Sequence, residues 1–241
     1  MNNPKSNSLF HFTKSSDILK SILKNGIYPR FCLEDAEWYV NRSEEHAAGA
    51  MSCFCDIPLS RITEHTNFYG QYGVGLTKQW GVKNGLNPVI YFPKKGIVPN
   101  IANYLIELAR ENDNLLYNKE YINQLTRFVR IIKPMSGKMV VDSKTFEKDF
   151  YQENEWRYTP EIDVVIPLSQ FQETYELENI RAESFKLDIS PNDIKYIFVK
   201  EDADIPDLFD FIKSNLSNYG EKDIKILLSR IVSLETIKLD L

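Results

Sequence analysis

Glu153, Glu155 and Arg157 stand at alternate positions in Phe150-Tyr151-Gln152-Glu153-Asn154-Glu155-Trp156-Arg157-Tyr158. In a strand, side chains alternate between faces, so these three share one face and Asn154, Trp156 and Tyr158 the other. Aromatic residues suit a half-buried pleated surface, which assigns the Trp156/Tyr158 face to a core. The opposite face then presents two carboxylates and a guanidinium to solvent or to a site. A carboxylate so placed can stabilise positive charge that develops in a transition state. The plainer reading is an exposed strand with an internal Glu–Arg pair, which is worth little.

Other residues with chemical potential are scattered. Cys53-x-Cys55 puts two sulfurs on one strand face, with His11, His46 and His65 elsewhere in the chain. Zinc sites use wider cysteine pairs, and a second pair is missing, so no metal site is assigned and the cysteines read as small buried hydrophobes. No cysteine stands at a helix N-terminus or beside a fixed base, as an activated thiolate requires. Gly70-x-x-Gly73-x-Gly75 lacks the Lys-Ser/Thr of a phosphate loop and reads as tight backbone. Arg127, Arg130 and Lys133 fall three apart and read as a solvated basic face, with a phosphate-facing stripe as the rival.

The elements that must position these residues follow from periodicity. Ser8–Thr13 is a short apolar strand containing His11. Ser15-Ser16 caps a helix with Ile18, Leu19, Ile22 and Leu23 on one stripe, and Gly26 ends it. Residues 30–50 show little periodicity and read as an irregular connection. A buried strand at 50–57, a helix at 60–67, a Gly-rich strand ending at Thr77, a helical turn at 78–83 and a buried strand at 88–92 follow. Two amphipathic helices are expected. One carries Ile101, Tyr104, Leu105, Leu108 and Ala109, and the other Tyr121, Leu125, Phe128, Val129 and Ile132, halted at Pro134. A short strand at Met139-Val140-Val141 precedes the Glu155 strand. Beyond it come an extended Val164–Pro167, a turn at Ser190–Asp193, a strand at 194–199, a helix at 205–216 and a last strand within 224–232. Without repeats or linkers, 1–241 reads as a single α+β domain.

In order, His11-Phe12-Thr13 on a strand, a helix ending at Gly26, Tyr72-Gly73-Val74-Gly75-Leu76 on a strand and the late Glu155 form a set. That order is similar to ADP-ribosyltransferases of the His-Tyr-Glu type. The resemblance implies an ADP-ribosyltransferase-like fold, with split mixed and antiparallel sheets and flanking helices. It also implies NAD as a substrate, cleaved at the nicotinamide–ribose bond. Glu155 would hold the ribose hydroxyl and the oxocarbenium-like charge, and His11 the adenosine-side ribose with Thr13 beside it. Tyr72 or Tyr69 would stack on nicotinamide, and Gly73 and Arg157 complete the implied NAD-binding set. Thr77 stands where that pattern's stacking tyrosine falls. Glu153-x-Glu155 resembles the paired glutamates of arginine-modifying transferases, which carry Arg in place of His11, so the acceptor macromolecule stays open.

Several blocks also resemble a second family. Ser8–Lys14, Ser52-Cys53-Phe54-Cys55-Asp56-Ile57-Pro58-Leu59, Tyr72–Leu76, Asn87-Pro88-Val89-Ile90-Tyr91 and Phe150–Tyr158 are similar, in order, to the bacterial abortive-infection family AbiGi. That resemblance implies phage defence. It also implies the antitoxin half of a two-gene module, a non-enzymatic partner that binds and restrains a toxin.

Composition sets outer bounds. Hydrophobic residues make up 43% of the 241 residues and charged residues 26%, enough for a packed core with an ordinary surface. A net charge of -5 argues against a surface coated for nucleic acid, leaving a local basic groove open. The apolar runs are too short to span a bilayer. Three cysteines and a polar N-terminus point to a reducing, cytoplasmic setting.

Overall fold

The computed structural model describes residues 6–38, 46–112, 114, 118–141 and 144–239. In chain order the elements are β1 (Ser8–Thr13), α1 (Ser16–Asn25), β2 (Arg30–Asp35), β3 (His46–Cys55), α2 (Ile62–Tyr69), β4 (Tyr72–Thr77), α3 (Lys78–Lys83), β5 (Asn87–Pro88), β6 (Ile90–Phe92), α4 (Ile97–Glu111) and α5 (Lys119–Ile131). They continue with β7 (Ile132–Pro134), β8 (Ser136–Val141), β9 (Lys144–Asp149), β10 (Glu155–Tyr158), β11 (Val165–Pro167), α6 (Leu168–Ala182), β12 (Ile194–Val199), α7 (Ile205–Asn215), α8 (Glu221–Leu228), β13 (Ile231–Ser233) and α9 (Leu234–Leu239). The class is mixed α+β, with parallel and antiparallel ladders. Among the described residues no helix is long and apolar enough to cross a membrane.

The chain gathers into two compact units, each built from separated segments. The first holds Met1–Ile27, Cys53–Leu86 and Leu187–Leu241. Its sheet runs β13-β12-β4-β1, and Phe10 pairs with Cys55 at the end of β3. β1 and β4 are antiparallel from Ser8 opposite Thr77 to Thr13 opposite Tyr72. Phe10, Phe12, Cys55, Ile57, Ile62, Phe198 and Leu234 form its core, so Cys55 does serve as a small hydrophobe. Helix α1 begins and ends as its sequence dictates. Ser15 Oγ accepts from the Ile18 N–H, Leu19, Ile22 and Leu23 are buried, and Gly26 takes φ 92°, which a side chain resists.

The second unit holds Tyr28–Ser52 and Asn87–Lys186. Here β3 pairs antiparallel with β2, Arg30 opposite Met51 through Asp35 opposite His46, and with β11, Val165 opposite Gly49. β10 neighbours β3 and pairs antiparallel with β5. Phe31, Ala48, Ala50, Ile166 and Ala182 form one apolar cluster, and Trp38, Phe92, Ala102 and Ile132 a second.

Several expectations need correction. Residues 30–35 and 46–50 are ladder-forming strands, because their backbone groups pair with each other; 39–45 lie outside the described residues. The 88–92 run is two short strands with different partners, and Ile90 is 45% exposed. Helix α6 has no signature in the periodicity, since it buries Glu178 and exposes Leu177 and Ile180, against the usual amphipathic pattern. The 224–232 stretch is helix α8 followed by β13, with Glu221 and Asp223 in the helix's first turn where acidic groups favour it.

Candidate functional site

The expected site residues divide between the units, and each group is described by itself. In the first unit, His11 Nδ1 donates to the Cys53 carbonyl at 2.8 Å and its ring packs on Phe54, centroids 5.3 Å apart. Burial lowers the ring's pKa, which favours the neutral imidazole with a lone pair on Nε2. Thr13 is buried two residues on. Tyr72 OH donates to Asp204 Oδ2 at 3.1 Å, and burial followed by that carboxylate raises the phenol's pKa. Tyr69 packs against His65, ring centroids 4.5 Å apart and planes tilted by 35°.

Gly73 is filled from within the protein. A Cβ there would lie 2.5 Å from the His11 carbonyl oxygen and 2.7 Å from the Phe12 ring. The glycine therefore admits a neighbouring strand and its aromatic side chain. Thr77 is engaged locally as well, because its Oγ1 accepts from the Trp80 N–H at 3.1 Å and caps α3.

In the second unit, Glu155 and Arg157 share a strand face as the alternation requires, but that face is the buried one. Arg157 is 0% exposed and Glu155 6%, whereas Trp156 and Tyr158 are half-buried. This reverses the expected orientation, and the reason is charge balance. Arg157 Nε donates to Glu155 Oε1 at 2.8 Å and Nη2 to Glu155 Oε2 at 3.0 Å. Nη1 donates to Glu34 Oε2 at 2.7 Å and to the Arg130 carbonyl at 2.6 Å, and Nη2 also donates to Glu34 Oε1. All five donors of the guanidinium are thereby engaged.

Lys133 completes the arrangement. Its ammonium lies 3.0 Å from Glu155 Oε2, 3.2 Å from Glu153 Oε2 and 3.5 Å from Glu34 Oε1, and 4.3 Å from the Phe150 ring centroid. Burial by itself would lower its pKa, but the carboxylates of Glu155, Glu153 and Glu34 raise it well above the ordinary lysine value. Glu153 lies in a 3₁₀ turn ahead of β10, not in the strand. Asn154 in the left-handed conformation (φ 46°, ψ 54°) links the two glutamates. Burial pushes the Glu153 carboxyl up, Lys133 and Lys148 pull it down, and the outcome is a lowered pKa. Lys148 Nζ lies 2.6 Å from Glu153 Oε1. Three carboxylates (Glu34, Glu153, Glu155) thus meet three cations (Lys133, Lys148, Arg157), a balance that lets buried charges persist. The Glu155 N–H donates to Tyr91 OH at 3.0 Å, and burial followed by the Glu155 charge raises that phenol's pKa.

The expected basic face is overturned too. Arg130 is 4% exposed and Lys133 8%. Arg130 Nη1 donates to the Ile162 carbonyl at 2.7 Å and Nη2 to the Val164 carbonyl at 2.6 Å. It runs across Gly49, where a Cβ would stand 2.6 Å from Arg130 Nε. Arg127 is half-buried and pairs with Glu161 at 3.3 Å. Sequence reasoning missed Glu34, Lys148 and Tyr91 as members of the site. One signal was available for Glu34: the Phe31/Leu33 alternation in Arg30–Asp35 is that of a strand. Among the described residues no group of three or more His, Cys, Asp or Glu is placed to hold a metal ion.

Residues 25–200 match a family model described as "Putative abortive phage resistance protein AbiGi, antitoxin". The chain is also 30% identical over 235 residues to "Abortive phage resistance protein AbiGi" of Lactococcus lactis subsp. cremoris, covering 85% of this chain and 90% of the relative. The chain belongs to the AbiGi family. No solved structure matches it. The AbiGi family match contains every member of the charge cluster, from Glu34 to Arg157, and begins beyond His11 and Thr13. The second unit's cluster therefore lies inside the matched stretch, as do Tyr69, Tyr72 and Gly73 of the first unit.

Proposed function

We propose that this protein acts in phage defence as the antitoxin-type half of an abortive-infection module, a binding partner that restrains a toxin without chemistry of its own. The observation that carries this reading is the closure of the charge cluster on itself. Both carboxylate oxygens of Glu155 and all five donors of Arg157 already have partners within the protein. A glutamate that holds a ribose hydroxyl, and an arginine that holds a phosphate, need atoms free to do so. The family description names an antitoxin; Gly73 of the implied NAD set is filled by strand packing, and Thr77, which stands at the position of that pattern's stacking tyrosine, caps a helix.

A second reading, ADP-ribose transfer from NAD to a macromolecule through Glu155, has one observation in its favour. The Nδ1 bond to the Cys53 carbonyl orients His11 with Nε2 as an acceptor, the state suited to a sugar hydroxyl. On this reading His11, Thr13, Tyr69, Tyr72, Gly73 and Arg157 bind NAD. Incubating wild type and Glu155→Gln with NAD labelled in its ADP-ribose portion and bacterial lysate, with and without phage infection, separates the two. The binding-partner reading expects no label on protein or nucleic acid with either variant. Label that appears with wild type alone overturns it.

A further inference from the structure

Helix α4 packs on the second unit's Trp38/Phe92/Ala102/Ile132 cluster through Val98 and Ala102, and Pro99 and Ala109 are buried with them. Helix α5 reaches it where Tyr121 OH donates to the Leu105 carbonyl at 3.3 Å. The helix carries more apolar surface than these contacts use. With 3.6 residues per turn, Ile97, Ile101, Tyr104 and Leu108 fall within about 60° of one another, centred about 130° from Ala102. Ile97 is 74% exposed, Ile101 49% and Tyr104 67%, and Leu108 is half-buried. The stripe expected for this helix is therefore divided, one edge on the core and the other facing outward. Consecutive large apolar side chains left outside mark a surface that another molecule covers. Their spacing of four, three and four residues is that of the a/d seam between two paired helices.

We propose that this outer face of α4 is a self-association surface, on which a second copy of the chain docks its own α4 antiparallel about a two-fold axis between Ile101 and Tyr104. Charge at the two ends of the seam selects that occupant. Lys94 and Lys95 precede the helix, and Glu107 and Glu111 lie at its C-terminal end. Lys94 is held by Asp35 and Glu37, and Glu107 by Arg110, so Lys95 and Glu111, both exposed, carry the argument. A carboxylate at a helix C-terminus disfavours its own helix, whereas one beside another helix's N-terminus is favourable. An antiparallel copy brings each Glu111 to the other chain's Lys95 and helix N-terminus. A parallel copy would set lysine on lysine and glutamate on glutamate, which repel. In the antiparallel register Ile101 meets Tyr104 of the second copy and Ile97 meets its Leu108, and the two-fold repeats each contact. One helix pair is a small interface, so the dimer is weak and forms at micromolar concentration. The surface is independent of whether the protein restrains a toxin or has chemistry of its own.

The test is sedimentation velocity on the full chain, which should pass from monomer to dimer between about 1 and 200 µM. Ile101→Glu puts a carboxylate at two points of the seam and should raise Kd at least about thirtyfold. Because Ile101 is already 49% exposed, that variant should keep the wild-type circular dichroism spectrum. Lys95→Glu and Glu111→Lys should each raise Kd about three- to tenfold, and the two together in one chain should recover most of the loss. Orientation is read by disulfide cross-linking, with wild type as the control for the native cysteines. Chains carrying Ile97→Cys mixed with chains carrying Leu108→Cys should cross-link. Neither should do so alone, because an antiparallel pair holds like positions at the seam's ends about 16 Å apart, beyond a disulfide's reach. A wild-type chain that is still monomeric at about 200 µM overturns the proposal and leaves the stripe to a different molecule. A dimer that Ile101→Glu leaves intact, or one in which Ile97→Cys chains cross-link to each other, overturns it as well.

Discussion

Arg157→Lys keeps the charge at the centre of the cluster and removes its geometry. The guanidinium makes five bonds: two to Glu155, two to Glu34 and one to the Arg130 carbonyl. An ammonium has three donors radiating from one point and cannot bridge two carboxylates and a carbonyl that were spaced for a planar fork. At least two of the five bonds are therefore lost at a position with 0% exposure. Each buried acceptor left without a partner costs about 1–3 kcal/mol, more when it is charged. Disrupting a buried ion pair costs about 3–5 kcal/mol by the same physics, and that is the expected loss here. In a chain of this size each kcal/mol moves Tm by about 2–4 °C, so Arg157→Lys should melt about 6–20 °C below wild type. Urea unfolding followed by circular dichroism gives the same quantity as a free energy. A variant within about 0.5 kcal/mol of wild type, the usual range for surface changes, would refute the claim that the fork geometry holds this cluster together.

Two further outcomes follow from the same region. Gly49→Ala should cost about 1–3 kcal/mol in urea unfolding, because the new methyl must displace an Arg130 side chain pinned by two carbonyls. Acid should destabilise the protein through carboxyls whose folded pKa is depressed. Lys138 and then Lys94 hold Glu37 down to about 2, and Glu153 is lowered by Lys133 and Lys148 against its burial. Their contribution is complete above the ordinary glutamate value of about 4.3 and is lost as pH falls through the folded values. Lys133 is shifted upward, so its contribution is complete below about 10.4 and is lost as pH rises beyond it. Burial depresses the His11 imidazole too, so its contribution is complete only above about 6.5 and is lost as pH falls. Urea midpoints measured across pH should be level between about 7 and 10 and fall on both sides, with a shallower acid limb in Glu37→Gln.

Local signals in the sequence match the structure best. Ser15, the Ile18/Leu19/Ile22/Leu23 stripe and Gly26 lie within a dozen residues and specify α1 through capping, burial and a permissive φ; Leu19, Ile22 and Leu23 of that stripe are buried, while Ile18 is 48% exposed. The β1 and β4 strands and helix α7 were legible for the same reason, as was the mixed α+β class. The charge cluster was not, because Glu34, Lys133 and Arg157 meet only through tertiary packing. Read singly, each charge belongs on the surface; balanced three against three, the set can be buried with its strand turned inward. That exchange also explains why Trp156 and Tyr158 ended on the less buried face. Helix α6 escaped because Leu177 and Ile180 face solvent and Glu178 does not, and α8 because Ile224-Lys225-Ile226-Leu227-Leu228 offers apolar residues on every side.

Glu155 as a structural and not a catalytic carboxylate is tested most directly by thermal unfolding of wild type and Glu155→Gln, each with and without millimolar NAD. Neutralising Glu155 leaves Arg157 and Lys133 short of a buried counter-charge, so the variant should melt at least about 6 °C below wild type. NAD should move neither midpoint. A ligand at about 100 times its dissociation constant would add about 2.7 kcal/mol, a rise of about 5–11 °C. Glu155→Gln that melts with wild type, together with a wild-type midpoint raised by NAD, would contradict the structural role and return Glu155 to catalysis.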